Sequence, residues 1–245
     1  MIPVVVHGAE GRMGVLVTSL VEAAADCELV GLVTEQGRQR GPGEFHPRLP
    51  LVGQDRLGEM PAGSVIVDFS LAPALEGLLA GSAALAAPLV IGTTGYDEAQ
   101  LASLAAHAGK LPVVRAANYS IGIPTLHMVL QLLAGVLPAD FDAEQVETHH
   151  ITKLDRPSGT ARHLQEAWTA RRGGDPVPIH SQRLGGVIGE HTWTFADGEE
   201  TLVVSHRAHS RQAFLRGVLP SVRFVAGAGA GAYDLTDVLQ GLAGA

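Results

Sequence analysis

The chain has 245 residues, with 17 Lys and Arg against 25 Asp and Glu, a formal net charge of −8 and 46% apolar residues. That length supports one large domain or two modest ones, and the composition is that of a globular α/β protein, which excludes disorder. The acidic balance argues against a nucleic-acid partner, because phosphate binding needs a basic face, and a single cysteine, Cys27, excludes an internal disulfide.

Ile2–His7 is a β-branched run of the kind buried on both faces in parallel sheets. It has no basic leader and a glycine loop interrupts it, so the sequence predicts a buried strand and no signal peptide. Gly8, Ala9, Glu10, Gly11, Arg12, Met13 and Gly14 follow with G-x-x-G-x-x-G spacing, and a helix is predicted over 13–24. Strand, glycine turn and helix open a dinucleotide-binding unit: glycines let the backbone approach a pyrophosphate, whose charge sits on the helix N-terminus. A plain tight turn would show the same glycines, but the position straight after a strand favours a cofactor loop.

The second strand is predicted over 28–33. Dinucleotide enzymes place a carboxylate at its end for the ribose hydroxyls, or a nearby arginine for an extra phosphate. Here Thr34 and Glu35 stand at that end, with Arg38 and Arg40 beyond. Glu35 suits a ribose; Thr34 with the arginines suits a phosphate. Residues 36–63 are rich in Gly and Pro and read as a loose crossover with a short strand at 51–52.

Further strands are predicted over 65–69, 88–91 and 111–116, with helices over 72–86 and 97–108. Gly92, Thr93, Thr94 and Gly95 form a loop at a strand's carboxyl end, where open α/β sheets bind ligands. The uncharged stretch 77–96 is cut by Pro88 and is too broken to span a membrane. There is no internal repeat or low-complexity tract, and a cytoplasmic protein is expected.

The character changes at Ala117, Asn118, Tyr119 and Ser120. A helix over 124–137, a strand over 143–149 and a helix over 159–171 are followed by strand-like runs at 177–184, 190–195 and 201–205. Clustered strands after a βαβ domain indicate a second, α+β domain with a mixed or antiparallel sheet. Helices near 211–226 and 235–242 return to the first domain, with hinges at 118–122 and 211–217. The expected division is 1–119 completed by 212–245, and 120–211.

Residues 147–161, Glu-Thr-His-His-Ile-Thr-Lys-Leu-Asp-Arg-Pro-Ser-Gly-Thr-Ala, concentrate polar chemistry in an otherwise acidic protein. His149 and His150 exchange protons near neutral pH, and Lys153 offers a mobile positive charge or a general acid. Pro157 closes the loop, because the residue before a proline is pushed out of helical geometry. Ser158 caps the next helix, leaving the N–H groups of Gly159 and Thr160 as an anion site. Adjacent strand histidines face opposite ways, so at most one serves the chemistry directly. Each residue alone suits an ordinary loop; their concentration beside a helix N-terminus points to a small, anionic, proton-accepting substrate.

These pieces resemble the dihydrodipicolinate reductases (4-hydroxy-tetrahydrodipicolinate reductases) of lysine and diaminopimelate synthesis. The resemblance covers nearly the whole chain. It rests on the Gly8 to Gly14 loop, Val67-Asp68-Phe69-Ser70, Gly92-Thr93-Thr94-Gly95, Ala116-Ala117-Asn118-Tyr119-Ser120 and, above all, residues 147–161. It implies an α/β protein: a Rossmann-like parallel-sheet domain completed by the C-terminal segment, plus a second α+β domain that binds substrate and whose sheet builds a homotetramer. It implies NADPH or NADH as cofactor and a small cyclic dicarboxylate as substrate, with no nucleic-acid or membrane partner and no metal. By position, His149 would be the proton donor or acceptor and Lys153 a proton donor. His150, Lys153, Ser158, Gly159 and Thr160 would hold the carboxylates, with Thr94 approaching from the cofactor side. Gly8, Ala9, Glu10, Gly11, Arg12 and Met13 would line the cofactor, together with Thr34, Glu35, Phe69, Gly92, Thr93, Thr94, Ala117, Asn118 and Tyr119.

The chain departs from that family pattern in two places. Thr34 stands where an acid is expected, with Glu35 one place late, and 171–189 is shorter than in longer members. Two other readings share the first domain: an aspartate- or homoserine-type dehydrogenase, in which the His-His-x-x-Lys loop is not expected, and a non-catalytic cofactor sensor, against which intact His149 and Lys153 count.

Overall fold

Three consecutive valines, Val4, Val5 and Val6, have no exposed surface at the centre of the first strand, β1 (Ile2–His7). A strand buried on both faces needs layers of helix above and below, and the computed structural model, which describes residues 1–35 and 39–243, has them. The chain falls into two units, Met1–Tyr119 with the segment from Phe214 onward, and Ser120–Ala213.

In the first unit β1 is followed by α1 (Arg12–Glu22), β2 (Cys27–Thr34), β3 (Leu51–Gly53) and β4 (Val65–Asp68). Then come α2 (Leu75–Leu85), β5 (Leu89–Ile91), α3 (Glu98–Ala108) and β6 (Pro112–Arg115). Seven parallel strands lie in the order β11-β6-β5-β4-β1-β2-β3, the edge strand β11 (Gly231–Tyr233) coming from the C-terminal segment. The order reverses between β1 and β4, the place where doubly wound sheets bind ligands at their carboxyl ends. Val17 and Val21 of α1 join Val4 and Val6 on one face, with Val218, Val222 and Val238 from the C-terminal segment. Leu78 and Leu104 from α2 and α3 join Val5, Ile66 and Leu89 on the other. Each such side chain contributes about 1.5–3 kcal/mol by leaving water, before the entropy cost of ordering it. α3 opens on a capping box, with Asp97 accepting from the Gln100 N–H and Gln100 answering the Asp97 N–H.

The second unit contains α4 (Gly122–Val136), β7 (Asp142–His149), α5 (Gly159–Arg172), β8 (Ile179–Arg183), β9 (Glu190–Ala196) and β10 (Thr201–Arg207). Its sheet is mixed, in the order β10-β9-β7-β8, with only the β7–β8 pair parallel. α4 and α5 bury Leu126, Leu130, Leu164 and Trp168 against Trp193 and Phe195 of β9. Trp168 and Phe195 have ring centroids 4.8 Å apart.

Several expected elements differ in detail. The helix predicted over 72–86 starts as a 3-10 turn, Ala72–Ala74, with Pro73 in the first turn where its missing N–H costs nothing, and becomes α2 only at Leu75. The helix predicted over 211–226 is two pieces, a 3-10 turn at Arg211–Leu215 and α6 (Val218–Gly227), parted at Gly217. There the Gly217 N–H donates to the Tyr119 carbonyl at 2.7 Å, outside the helix. The close approach needs glycine: a Cβ on it would lie 2.7 Å from the Leu235 side chain and 3.0 Å from that carbonyl oxygen. The strand β11 is followed by α7 (Leu235–Ala243). Among the described residues no helix is long and apolar enough to cross a membrane.

Candidate active site

Alternation along β7 puts Glu147 and His149 on one face of the sheet, the face covered by α4 and α5. Strand register then brings Ser181 and Arg183 of β8 and His191 of β9 beside them. His149 Nδ1–H donates to a Glu147 carboxylate oxygen. The other oxygen lies 2.8 Å from Arg183 Nη2, and both partners of this ion pair are fully buried. Burial pushes the Glu147 carboxyl up, but the Arg183 and Ser181 hydrogen bonds and the His149 ring outweigh it and leave it below the usual carboxylate range. Burial lowers the His149 imidazole, with Glu147 opposing. The His191 ring meets His149 edge-on at 5.3 Å, and burial and the neighbouring His149 bring it down to about 3, so it is neutral.

Arg183 has a second task. Its Nε donates to the Lys153 carbonyl at 3.2 Å and its Nη2 to the Asp155 carbonyl, so one guanidinium fixes both the carboxylate behind His149 and the loop carrying Lys153. Lys153 Nζ pairs with Asp155 at 2.8 Å, and this ion pair holds the Asp155 carboxyl low. The loop ends at a cis Arg156–Pro157 bond. Ser158 then caps α5, accepting from the Ala161 N–H at 3.1 Å, and its Oγ also lies 3.4 Å from His191 Nε2. Gly159 and Thr160 form the first turn of α5, where helix N–H groups favour an anion. His150 follows at the end of β7, its Nδ1 2.7 Å from Thr152 Oγ1 and its Nε2 left for another partner. The second unit thus gathers His149, Lys153, Ser158, Gly159 and Thr160 around a helix N-terminus.

Glu147, His149 and His191 each bring a potential metal-ligand atom within 4.8 Å of the others. Arg183 already supplies the cation on that carboxylate, which makes the cluster a setting for a neutral imidazole.

In the first unit the glycine loop curls over the β1–β4 switch point. Gly8 has φ +74°, and a Cβ there would lie 2.6 Å from the Phe69 carbonyl oxygen; one on Gly14 would lie 2.1 Å from the Gly8 oxygen. Both positions need bare backbone, which is the cradle a pyrophosphate requires, so the loop fits a dinucleotide. Gly11 and Arg12 are exposed at its mouth, with Ala9 buried and Glu10 and Met13 half-buried. A Cβ on Gly92 would fall 2.2 Å from the Phe69 ring, so Gly92 exists to seat that ring. Thr93 is buried beside it and Thr94 is exposed.

Thr34 is fully buried at the end of β2, and Glu35 beyond it is half-buried. Arg40 sits over the Phe45 ring at 5.9 Å, and Arg38 lies outside the described residues. Ala117 is exposed and Asn118 half-buried. Tyr119 plays a supporting part: its ring has no exposed surface, its hydroxyl donates to the Ile91 carbonyl at 2.9 Å, and its backbone N–H and C=O bond to Phe214 and Gly217.

The profile described as "Dihydrodipicolinate reductase, N-terminus" matches residues 2–119, and "Dihydrodipicolinate reductase, C-terminus" matches residues 122–239. A 4-hydroxy-tetrahydrodipicolinate reductase of Xanthomonas euvesicatoria is 38% identical over 239 residues, covering 97% of this chain and 98% of its own. The chain belongs to the dihydrodipicolinate reductase family. A second relative of that name, from Alkalilimnicola ehrlichii, is 36% identical over 261 residues, with 96% and 98% covered. Among solved structures, a dipicolinate-bound dihydrodipicolinate reductase from Paenisporosarcina sp. TG-14 superposes with a TM-score of 0.81 at 25% identity, covering 97% of this chain and 99% of that one.

Within this family member, the residues that sequence reasoning did not assign are Arg183 and His191, along with a role for Glu147. Glu147 and His149 stand two apart on a predicted strand, so alternation alone pairs them. Arg183 and His191 had no local signal; only the pairing of β8 and β9 with β7 delivers them.

Proposed function

We propose that this chain reduces 4-hydroxy-tetrahydrodipicolinate to tetrahydrodipicolinate with NADH or NADPH, a step of lysine and diaminopimelate synthesis. The observation that carries the reading is the joining of His149, Lys153 and the capped α5 N-terminus in one unit, in a chain whose other unit has a dinucleotide cradle. The net change takes up a hydride and a proton and releases water. The reduced nicotinamide supplies the hydride when bound. Lys153 and the Ser158–Gly159–Thr160 turn hold the substrate carboxylates and make the ring electron-poor, which favours hydride acceptance. His150 and Thr94 complete the proposed carboxylate contacts. His149, protonated from solvent to the imidazolium and balanced by Glu147, hands over the proton from Nε2, the ring nitrogen not committed to Glu147, and returns to the Nδ1–H neutral form.

The first unit is the proposed cofactor domain and the second the substrate and assembly domain. The face of its sheet turned away from α4 and α5 carries Thr192, Thr194, Val203 and Ser205, with Val203 55% exposed. Such a surface of small and β-branched side chains supports pairing with other copies, and a homotetramer working in the cytoplasm is the proposed form.

The test is oxidation of NADH and of NADPH by purified protein with freshly generated substrate, wild type against Lys153→Ala. Fast, substrate-dependent oxidation that collapses in the variant is expected, and the ratio of the two rates reports what Thr34 and Glu35 select. Cofactor binding without oxidation would overturn the reading.

A further inference from the structure

We infer that Glu147, clamped by Arg183, is a positioning residue that fixes the tautomer and ring plane of His149, leaving Nε2 as the nitrogen offered to substrate. An ionised carboxylate only accepts hydrogen bonds, so its partner Nδ1 must carry the proton. The Arg183 guanidinium, 2.8 Å away with no water access on either side, keeps that carboxylate ionised. The ring is held from a second side by His191, edge-on at 5.3 Å, which is itself tied to the Ser158 cap. On a third side Gly189 leaves room: a Cβ there would lie 3.2 Å from Nε2, so any side chain would crowd the working nitrogen. The groups facing His149 are Glu147 on its own strand, Arg183 on β8, His191 on β9 and Lys153 on the following loop. Glu147 is the single anion of that set. Without it, Arg183 and the Asp155-paired Lys153 are the charges left bearing on the ring, and the imidazolium becomes harder to form. The kinetic consequence rests on the reductase reading; the tautomer does not.

The experiment has two arms. Nitrogen-15 NMR of histidine-labelled wild-type protein is expected to show His149 as the Nδ1–H tautomer, shifting to a mixture in Glu147→Gln, whose amide can donate as well as accept. Steady-state kinetics on Glu147→Gln are expected to show turnover down roughly 10- to 100-fold with KM for the dicarboxylate within about 3-fold. The pH limb that reports His149 protonation should move to lower pH, and Glu147→Asp should restore part of both. A wild-type Nε2–H tautomer overturns the inference without any variant, and so does a folded Glu147→Gln protein with a wild-type pH profile. If wild-type protein shows the Nδ1–H tautomer but no reductase activity, the functional reading fails and the positioning geometry stands.

Discussion

Nδ1 of His7 lies 2.7 Å from Oδ1 of Asp68, at matched ends of two neighbouring parallel strands, and neither side chain has any exposed surface. The same oxygen accepts from the Ser70 N–H at 3.2 Å, and the Asp68 charge adds to burial in pushing the Tyr96 phenol up. Asp68 therefore braces the loops that follow β1, β4 and β5. Asp68→Ala leaves a buried ring N–H and the Ser70 N–H without their acceptor and is expected to cost roughly 1–3 kcal/mol, with weaker dinucleotide binding. Urea unfolding and a fluorescence titration with NADH check both; an unchanged unfolding midpoint would contradict the bracing role.

The glycine loop makes a graded prediction. Gly14→Ala and Gly8→Ala force a methyl against backbone at 2.1 and 2.6 Å, whereas Gly11→Ala meets the Gly8 oxygen at 3.2 Å and the Phe69 oxygen at an ordinary 3.8 Å. The first two should abolish dinucleotide binding and lower thermal stability, Gly8→Ala by at least about 1 kcal/mol from its left-handed backbone alone. Gly11→Ala should keep its fold and lose affinity only partly. Equal effects at all three positions would mean that steric room is not what these glycines provide.

Kinetic variants should separate along KM and kcat. His149→Gln is expected to lower kcat on the order of 100-fold with little change in KM. Lys153→Ala should lower kcat and raise KM together, since it holds substrate as well as charge. Asp155→Ala releases Lys153 from a half-exposed pair worth at most about 1 kcal/mol, so KM should fall or stay within about 5-fold. A large loss on removing Asp155 would mean that it orients Lys153.

Stability should fall as the solution is acidified from neutrality. His149, His191 and His206 all have imidazoles lowered by burial, His191 to about 3. Below the usual histidine value near 6.5 the unfolded chain binds protons that the folded one refuses, so stability is full above that pH and drains away beneath it. Glu147, held low, adds a loss of the same sign further into acid. Replacing His191 by Asn should flatten the pH dependence between about 6 and 4 by roughly 1.4 kcal/mol per pH unit. Urea midpoints across that range for both proteins decide it.

Much of this was legible in the residues. The strand–glycine–helix opening, the apolar strands and the capped loop at 147–161 declare themselves through local rules of period and turn chemistry. β11 did not, because Gly-Ala-Tyr is too short for any period, and it exists only because β6 offers an edge. The break in the 211–226 helix followed from contacts of Gly217 with Tyr119 and Leu235, which no window around Gly217 contains. The same limit hid Arg183: a charge on a strand reads as solvated until the register places it against Glu147.

The strand and helices that close the first unit's core arrive last on the chain. Tyr119 donates to the Phe214 carbonyl at 3.0 Å and accepts from the Gly217 N–H at 2.7 Å, so the chain leaves and re-enters the unit at one seam. Val218, Val222 and Val238 are core residues there, and β11 is its edge strand. A ribosome working from the N-terminus releases the glycine loop early, yet β1 has no complete hydrophobic partner until the residues beyond 214 emerge. The unit formed by residues 120–213 is continuous and can close first. Birth order and completion order are opposed, and the nascent first half must wait, apolar face uncovered, for its own tail.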